Sequence, residues 1–173
     1  MARLRKFSAY RNIERPYTRK SKFKNKSFVR ASPNCRVVRF DMGNEKAEFD
    51  TTLELVSKDD IQIRHNAIES ARQTSNRLLD QKVGKTNYKM KIMIYPHHIL
   101  RENPLASGAG ADRMSTGMKK SFGKPIGIAA RVKKGQTLIR LKVNKNNLDA
   151  ARLALKRASH KMPCSCNILT VSN

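Results

Sequence analysis

Charge is spread so unevenly along this chain that it decides which parts can build a core. Residues 1–40 carry 13 basic side chains against one acidic, Glu14. Residues 41–80 reverse the balance, with nine acidic against five basic. Residues 81–145 carry 15 basic side chains and only two carboxylates, Glu102 and Asp112, and residues 146–173 carry four basic and one acidic. The formal charge is +24 over 173 residues. Like charges at that density oppose compaction unless a polyanion neutralises them. Nucleic acid is therefore the first partner class to expect, and an anionic membrane surface the second. The acidic stretch is left for water or for a basic neighbour.

The membrane alternative fails on length. The apolar run Ile92–Tyr95 is far short of the roughly 20 residues that a spanning helix needs. Met1–Ala9 has charges with no apolar segment behind them, so no secretory signal is expected, and neither end carries a lipidation box. Cys35, Cys164 and Cys166 are too few to staple a domain of this size and fit a reducing, cytoplasmic setting.

The first 33 residues read as a basic arm. They hold Phe7, Tyr10, Tyr17, Phe23 and Phe28, half of the ten aromatics in the chain, scattered among Arg and Lys without helical or alternating period. Such a stretch cannot bury enough apolar surface to order itself. Phosphates can neutralise its cations, and its rings can stack on splayed bases.

Residues 34–173 read as a single α+β domain. Cys35–Phe40 and Glu48–Val56 are expected strands, with a turn at residues 41–44. Ser57 and Asp60 have the spacing of a capping box, so a helix is expected from there to about Lys82, stopped by Gly84. Its inner face would include Ile61, Ile68, Ala71, Ser75 and Leu78. Tyr88, Met90, Ile92 and Ile94 alternate with outward residues, as in a half-buried strand. Ile126–Val132 and Thr137–Val143 are expected to form a hairpin about residues 133–136. A second helix should start at Asn146 and end before Pro163, burying Leu148, Ala151, Leu155, Ala158 and Met162. Residues 167–171 make a last strand. The expected architecture is a two-layer α+β sandwich with a mixed or antiparallel sheet.

Residues 96–125 form an inserted loop. Four of the eight glycines fall there, Gly108, Gly110, Gly117 and Gly123, with the cations Arg101, Arg113, Lys119, Lys120 and Lys124. About 30 residues without periodicity inside a compact domain point to a functional loop. Inserting into structured RNA would use both the close backbone approach that glycine permits and the cations.

Enzyme and metal signatures are incomplete in this chain. Gly108-Ala109-Gly110 lacks the third glycine of a dinucleotide fingerprint. Gly117–Lys124 is one residue too long for a phosphate-binding P-loop, and Pro125 stands where Mg²⁺ needs a hydroxyl. Cys164-Ser165-Cys166 with Cys35 and His160 lacks the spacing of paired zinc knuckles. His97, His98 and Glu102 could be drawn as an acid–base pair for RNA cleavage, but the basic region offers few carboxylates to support one. No catalytic residue, metal or cofactor is expected. An RNA-modifying enzyme and a free-standing RNA chaperone are the alternative readings.

Longer strings sharpen this. Arg15-Pro16-Tyr17, Arg39-Phe40-Asp41-Met42-Gly43, Asn66–Arg72, Gly110-Ala111-Asp112-Arg113 with Thr116-Gly117-Met118, Phe122–Pro125 and Ala130-Arg131-Val132 resemble the archaeal and eukaryotic L-ten-e family of large-subunit ribosomal proteins. That family is the counterpart of bacterial L-sixteen, and the resemblance covers nearly the whole chain. It implies an α/β-hammerhead-like domain on 23S-type rRNA, near the central protuberance, the neighbourhood of 5S rRNA, tRNA and other ribosomal proteins. By carry-over, Arg15, Tyr17, Arg19 and Lys20 would lie on rRNA. The other arm cations Arg3, Arg5, Lys6, Arg11, Lys22, Lys24 and Lys26 are expected beside them. Arg101, Glu102, Asn103 and the stretch Gly108–Arg113, with Gly110 and Asp112, would form the part of the loop that approaches tRNA and the peptidyl-transferase centre. Lys119, Lys120 and Lys124 are expected on the same loop. Pro104-Leu105 departs from the family's usual basic–apolar pair, and the absence of a longer tail after Asn173 suggests an archaeal-type member.

Overall fold

A computed structural model describes residues 6–13, 21–26, 33–103, 108–110, 113, 117 and 121–172. Within them eight strands form two antiparallel sheets with two α-helices. The strands are β1 (Asp41–Gly43), β2 (Thr51–Ser57), β3 (Ile61–Arg64), β4 (Tyr88–Ile92), β5 (His98–Glu102), β6 (Lys124–Val132), β7 (Thr137–Val143) and β8 (Cys166–Ser172). The helices are α1 (His65–Lys82) and α2 (Leu148–Ser159). One sheet runs β1-β4-β7-β2-β8 and the other β3-β6-β5.

The five-stranded sheet carries most of the core. Leu53 and Leu55 of β2, Met90 of β4, and Ile139 and Leu141 of β7 are buried in one cluster with Ile68, Ala71, Leu78 and Leu79 of α1. Ala151, Ala154, Leu155 and Ala158 of α2 complete it. Small residues on the helices let them approach closely: α1 packs against α2, β3, β4 and β6, while α2 packs against β2, β7 and β8. The alternation in β4 and the inner faces of both helices match the sequence expectation, and Gly84 follows α1 with φ +86°.

Four expectations are corrected. The helix does not begin near Ser57. Ser57 ends β2, its hydroxyl donates to the Asp59 carbonyl at 2.8 Å, and Asp60 Oδ1 accepts the Lys134 N–H at 2.6 Å. The capping chemistry is thus spent on the β2–β3 turn. Ile61 and Ile63, two apart, are both buried in the strand that feeds α1 directly.

Cys35–Phe40 is not a strand either. It lies outside both sheets because helix side chains take its donors: Arg36 N–H on His65 Nδ1 at 3.4 Å and Val38 N–H on Glu69 Oε2 at 3.2 Å. Pairing starts at the expected turn instead, where Asp41–Gly43 lies along β4. A Cβ on Gly43 would sit 2.2 Å from the Tyr88 carbonyl oxygen, and the glycine holds φ +87°. Only glycine fits there.

The expected hairpin is split between sheets. Its turn exists, with Gln136 N–H on the Lys133 carbonyl at 3.1 Å. But β6 pairs with β3 and β5, whereas β7 pairs with β2 and β4. The Ser57 carbonyl accepts Gly135 N–H at 2.9 Å, and Ser57 N–H donates to Gln136 at 3.1 Å, so β2 pins the turn where the chain changes sheet. Finally, the inserted loop is shorter than residues 96–125. Both its ends are strands, β5 and β6, which leaves residues 103–123.

Candidate nucleic-acid interface

The second sheet brings the two basic regions together. In the arm, Phe7–Tyr10 and Lys24–Lys26 form short 3-10 turns. The Arg11 carbonyl accepts the Gln62 N–H of β3 at 3.2 Å, and the Gln62 side-chain amide donates to the Asn12 carbonyl. The Arg64 guanidinium lies 5.9 Å from the centre of the Tyr10 ring. The arm is therefore anchored at β3 by its backbone, which leaves the Arg11 side chain exposed. This narrows the expectation that the arm carries no order of its own.

On the other side of the same sheet, the edge strand β5 and the central strand β6 form the neck of the loop. Arg101 stacks over the Phe122 ring at 4.0 Å and donates from Nε to the Phe122 carbonyl at 3.1 Å. That is a cation–π contact plus a hydrogen bond, closing the loop base from both strands. The pairing register shifts between Leu100 and Arg101, so Glu102 faces Lys124 across the strands. Gly123 sits at φ +77°, and a Cβ there would be 2.8 Å from the Glu102 carbonyl carbon. The neck closes because that position has no side chain.

Arm and neck meet in a cavity of about 310 Å³. Tyr10 and Gln62 line it from the arm and β3, and His98, Arg101, Asn103 and Phe122 from the neck. Elements more than 85 residues apart in sequence thus share one wall. Of these, Gln62 is the contribution that charge and motif reading do not single out. Alternation with Ile61 and Ile63 would turn Gln62 outward, yet it is only 3% exposed because the arm covers it.

The expected site residues divide as follows. Lys6, Lys22, Lys24 and Lys26 are exposed in the arm, with Lys26 Nζ 5.4 Å from the Phe23 ring centre. Arg101, Glu102 and Asn103 are half-buried at the neck rather than out on the loop, because β5 extends to Glu102. Lys124 is exposed as the first residue of β6. Gly108 and Gly110 are exposed with φ +126° and +81°, and the exposed Arg113 donates its N–H to the Gly110 carbonyl at 3.1 Å. Arg3, Arg5, Arg15, Tyr17, Arg19, Lys20, Asp112, Lys119 and Lys120 lie outside the described residues.

The geometry is poor for the chemistry set aside above. His98 is buried and Glu102 lies four positions along the same strand, so their Cα atoms are about 13 Å apart, beyond a shared proton. Among the described residues no three His, Cys, Asp or Glu side chains gather as a metal site. Cys164 and Cys166 do approach, with Sγ atoms 3.7 Å apart. The hydrogen bond from Cys166 lowers the Cys164 thiol to about 7, and Cys166 is pushed up in return. No described helix is long and apolar enough to cross a membrane.

The three-stranded sheet thus carries the arm at β3 and the clamped loop neck at β5. The family described as "Ribosomal protein L16p/L10e" matches residues 13–169, and the chain belongs to it. A large ribosomal subunit protein uL16 from Methanococcus maripaludis is 51% identical over 167 residues, covering 96% of this chain and 93% of that protein. Proteins of the same name from Archaeoglobus fulgidus and Thermofilum pendens are 46% and 44% identical over 160 and 154 residues. These cover 92% and 89% of this chain, and 88% of each relative.

Proposed function

We propose that this protein is a structural constituent of the large ribosomal subunit, in the cytoplasm, that binds 23S-type rRNA. Residues 1–33 act as the rRNA-binding arm of an α/β-hammerhead-like domain, residues 34–173. The loop supports tRNA near the A site and the peptidyl-transferase centre. The observation that carries this is the convergence of arm and loop neck on one cavity wall. It brings the starting points of the two basic stretches side by side, as a shared polyanion partner would require. The relatives named above, all large-subunit proteins, supply the particle in which this arrangement would work. The partners that follow are 23S-type rRNA, the neighbourhood of 5S rRNA, tRNA and adjacent ribosomal proteins.

The mechanism is neutralisation and positioning. Exposed arm cations take phosphates, so retention on the subunit should depend steeply on salt: six to ten contacts lose roughly 10³–10⁵ in affinity between about 50 and 200 mM. The clamped neck then holds the loop's cations and glycine backbone toward tRNA. No chemical step is asked of the protein.

Replacing residues 104–120 by a short Gly-Ser linker tests the loop while keeping the Arg101–Phe122 clamp. The variant should still co-sediment with the large subunit, and tRNA accommodation should slow. Normal accommodation would remove the role given to the loop. Failure of the unaltered chain to co-sediment would favour a free-standing chaperone or modifying enzyme.

A further inference from the structure

A second aromatic site lies away from the arm and loop, and it is assembled by a tight turn. Phe40 enters β1 half-buried against the core, and its carbonyl accepts the Ile92 N–H at 2.9 Å. Beyond β4 the chain alternates: Ile94, Pro96 and His98 are buried, and Met93, Tyr95 and His97 are exposed. The His97 N–H closes back on the Tyr95 carbonyl at 3.0 Å, a three-residue turn centred on Pro96. Residues two apart in such a segment share a face.

The rings therefore gather. Tyr95 stacks on Phe40 with centroids 5.3 Å apart and planes at 26°, and His97 lies 4.5 Å from Tyr95, tilted by 44°. Both values fall in the range of favourable aromatic pairs. Yet Tyr95 remains 48% exposed, and Val38 beside this segment is 72% exposed. Arg39, next to Phe40 in the chain, is exposed. The nearby carboxylate Asp41 is already paired with Lys91 at 3.3 Å. A column of rings rooted in the core at Phe40 and open to solvent at Tyr95, on a chain of formal charge +24, suits a flat, polyanion-borne ligand.

We propose that Tyr95, stacked on Phe40 and flanked by the tilted His97 ring, forms a platform for one unstacked base of an RNA strand. This rests on the reading of the chain as an RNA-bound ribosomal protein, but on residues which that reading does not use. Every base has a π-face, so the platform selects single-stranded or bulged RNA over any particular sequence.

Ultraviolet irradiation of large subunits carrying the full chain, followed by trypsin and mass spectrometry, tests it. The tryptic peptide Ile92–Arg101 should carry a nucleotide, at background yield in Tyr95→Ala and restored in Tyr95→Phe. Recovery of that peptide without nucleotide, while arm or loop peptides carry one, overturns the platform and leaves the broader reading intact. A crosslink from it to another protein's peptide instead makes this a protein-docking face and also overturns the proposal. Should the chain be missing from subunits, the broader reading falls, and binding of the full chain to a single-stranded oligoadenylate decides the platform. There Tyr95→Ala should weaken binding roughly 5- to 100-fold, with Tyr95→Phe near the unaltered affinity. Equal binding by Tyr95→Ala would overturn it.

Discussion

The two sheets are made of similar strands but differ in what covers them. The five-stranded sheet packs on α2 through β2, β7 and β8 and on α1 through β4, and its inward side chains are nearly all buried in one cluster. The three-stranded sheet touches α1 through β3 and β6, while its edges are occupied by the arm at β3 and the loop neck at β5. Most of the buried cluster lies in the first sheet, with Ile61, Ile63, Ala130 and Val132 adding to it from β3 and β6, whereas the arm and the loop neck attach to the second. A small, highly charged domain gains from that division, because repulsion among RNA-facing cations is kept away from the packing that must survive it.

The division can be broken at its strongest point first. Leu141→Ala empties a fully buried position in the central strand β7. Loss of about 2–5 kcal/mol is expected in denaturant unfolding, with RNA affinity unchanged under conditions where the variant is folded. Parallel loss of RNA affinity in the folded variant would show that the sheets are not separable.

A matched pair of glycine substitutions sharpens the same point. Gly43→Ala and Gly123→Ala each place a Cβ against backbone at positive φ. Each should cost about 1–3 kcal/mol or more in thermal or chemical unfolding. Gly123→Ala should impair translation by assembled subunits more than Gly43→Ala, because it opens the loop neck rather than the β1–β4 pairing. Equal defects would refute the assignment of function to the second sheet.

The smallest expected effect is electrostatic. Burial alone would raise the Glu69 carboxyl. The Arg72 guanidinium at 2.6 Å, the Val38 N–H and Gln73 outweigh it and hold the group below the usual glutamate range. Its folded pKa lies below its unfolded one, so its contribution is present above the ordinary glutamate value. It is lost as pH falls through the lowered folded value. Glu69→Gln should cost about 1 kcal/mol near neutral pH and flatten the acid limb of a stability–pH profile. An unchanged acid limb would mean that the extended segment 35–39 is not secured through Glu69.

Several elements were legible because one local rule governed them. The alternation of Tyr88, Met90 and Ile92, the small inner faces of α1 and α2, and Gly84 after α1 each follow from residues within a few positions. Readings failed where local chemistry had two uses. Ser57 and Asp60 can open a helix or pin a turn, and cross-chain bonds to Gln136, Gly135 and Lys134 decide for the turn. Cys35–Phe40 has strand-like residues, but His65 and Glu69 intercept its donors. Part of the expected RNA face was legible from charge alone, since composition marks a polyanion partner wherever the cations end up. The neck was not, because Arg101 and Phe122 pair across 21 residues.

Sequence by itself determined the charge that makes a polyanion the expected partner, the greater part of both helices and most strands of the α+β domain, and the family. Net charge and short-range periodicity depend on residue identity and spacing, and both survive without coordinates. Tertiary structure alone decided that β6 and β7 part company, that the loop begins at a clamped neck, and that the arm docks beside it. Those outcomes depend on which distant backbone groups satisfy one another, and a hydrogen bond between Gln62 and Arg11, or a stack of Arg101 on Phe122, leaves no periodic trace in the chain.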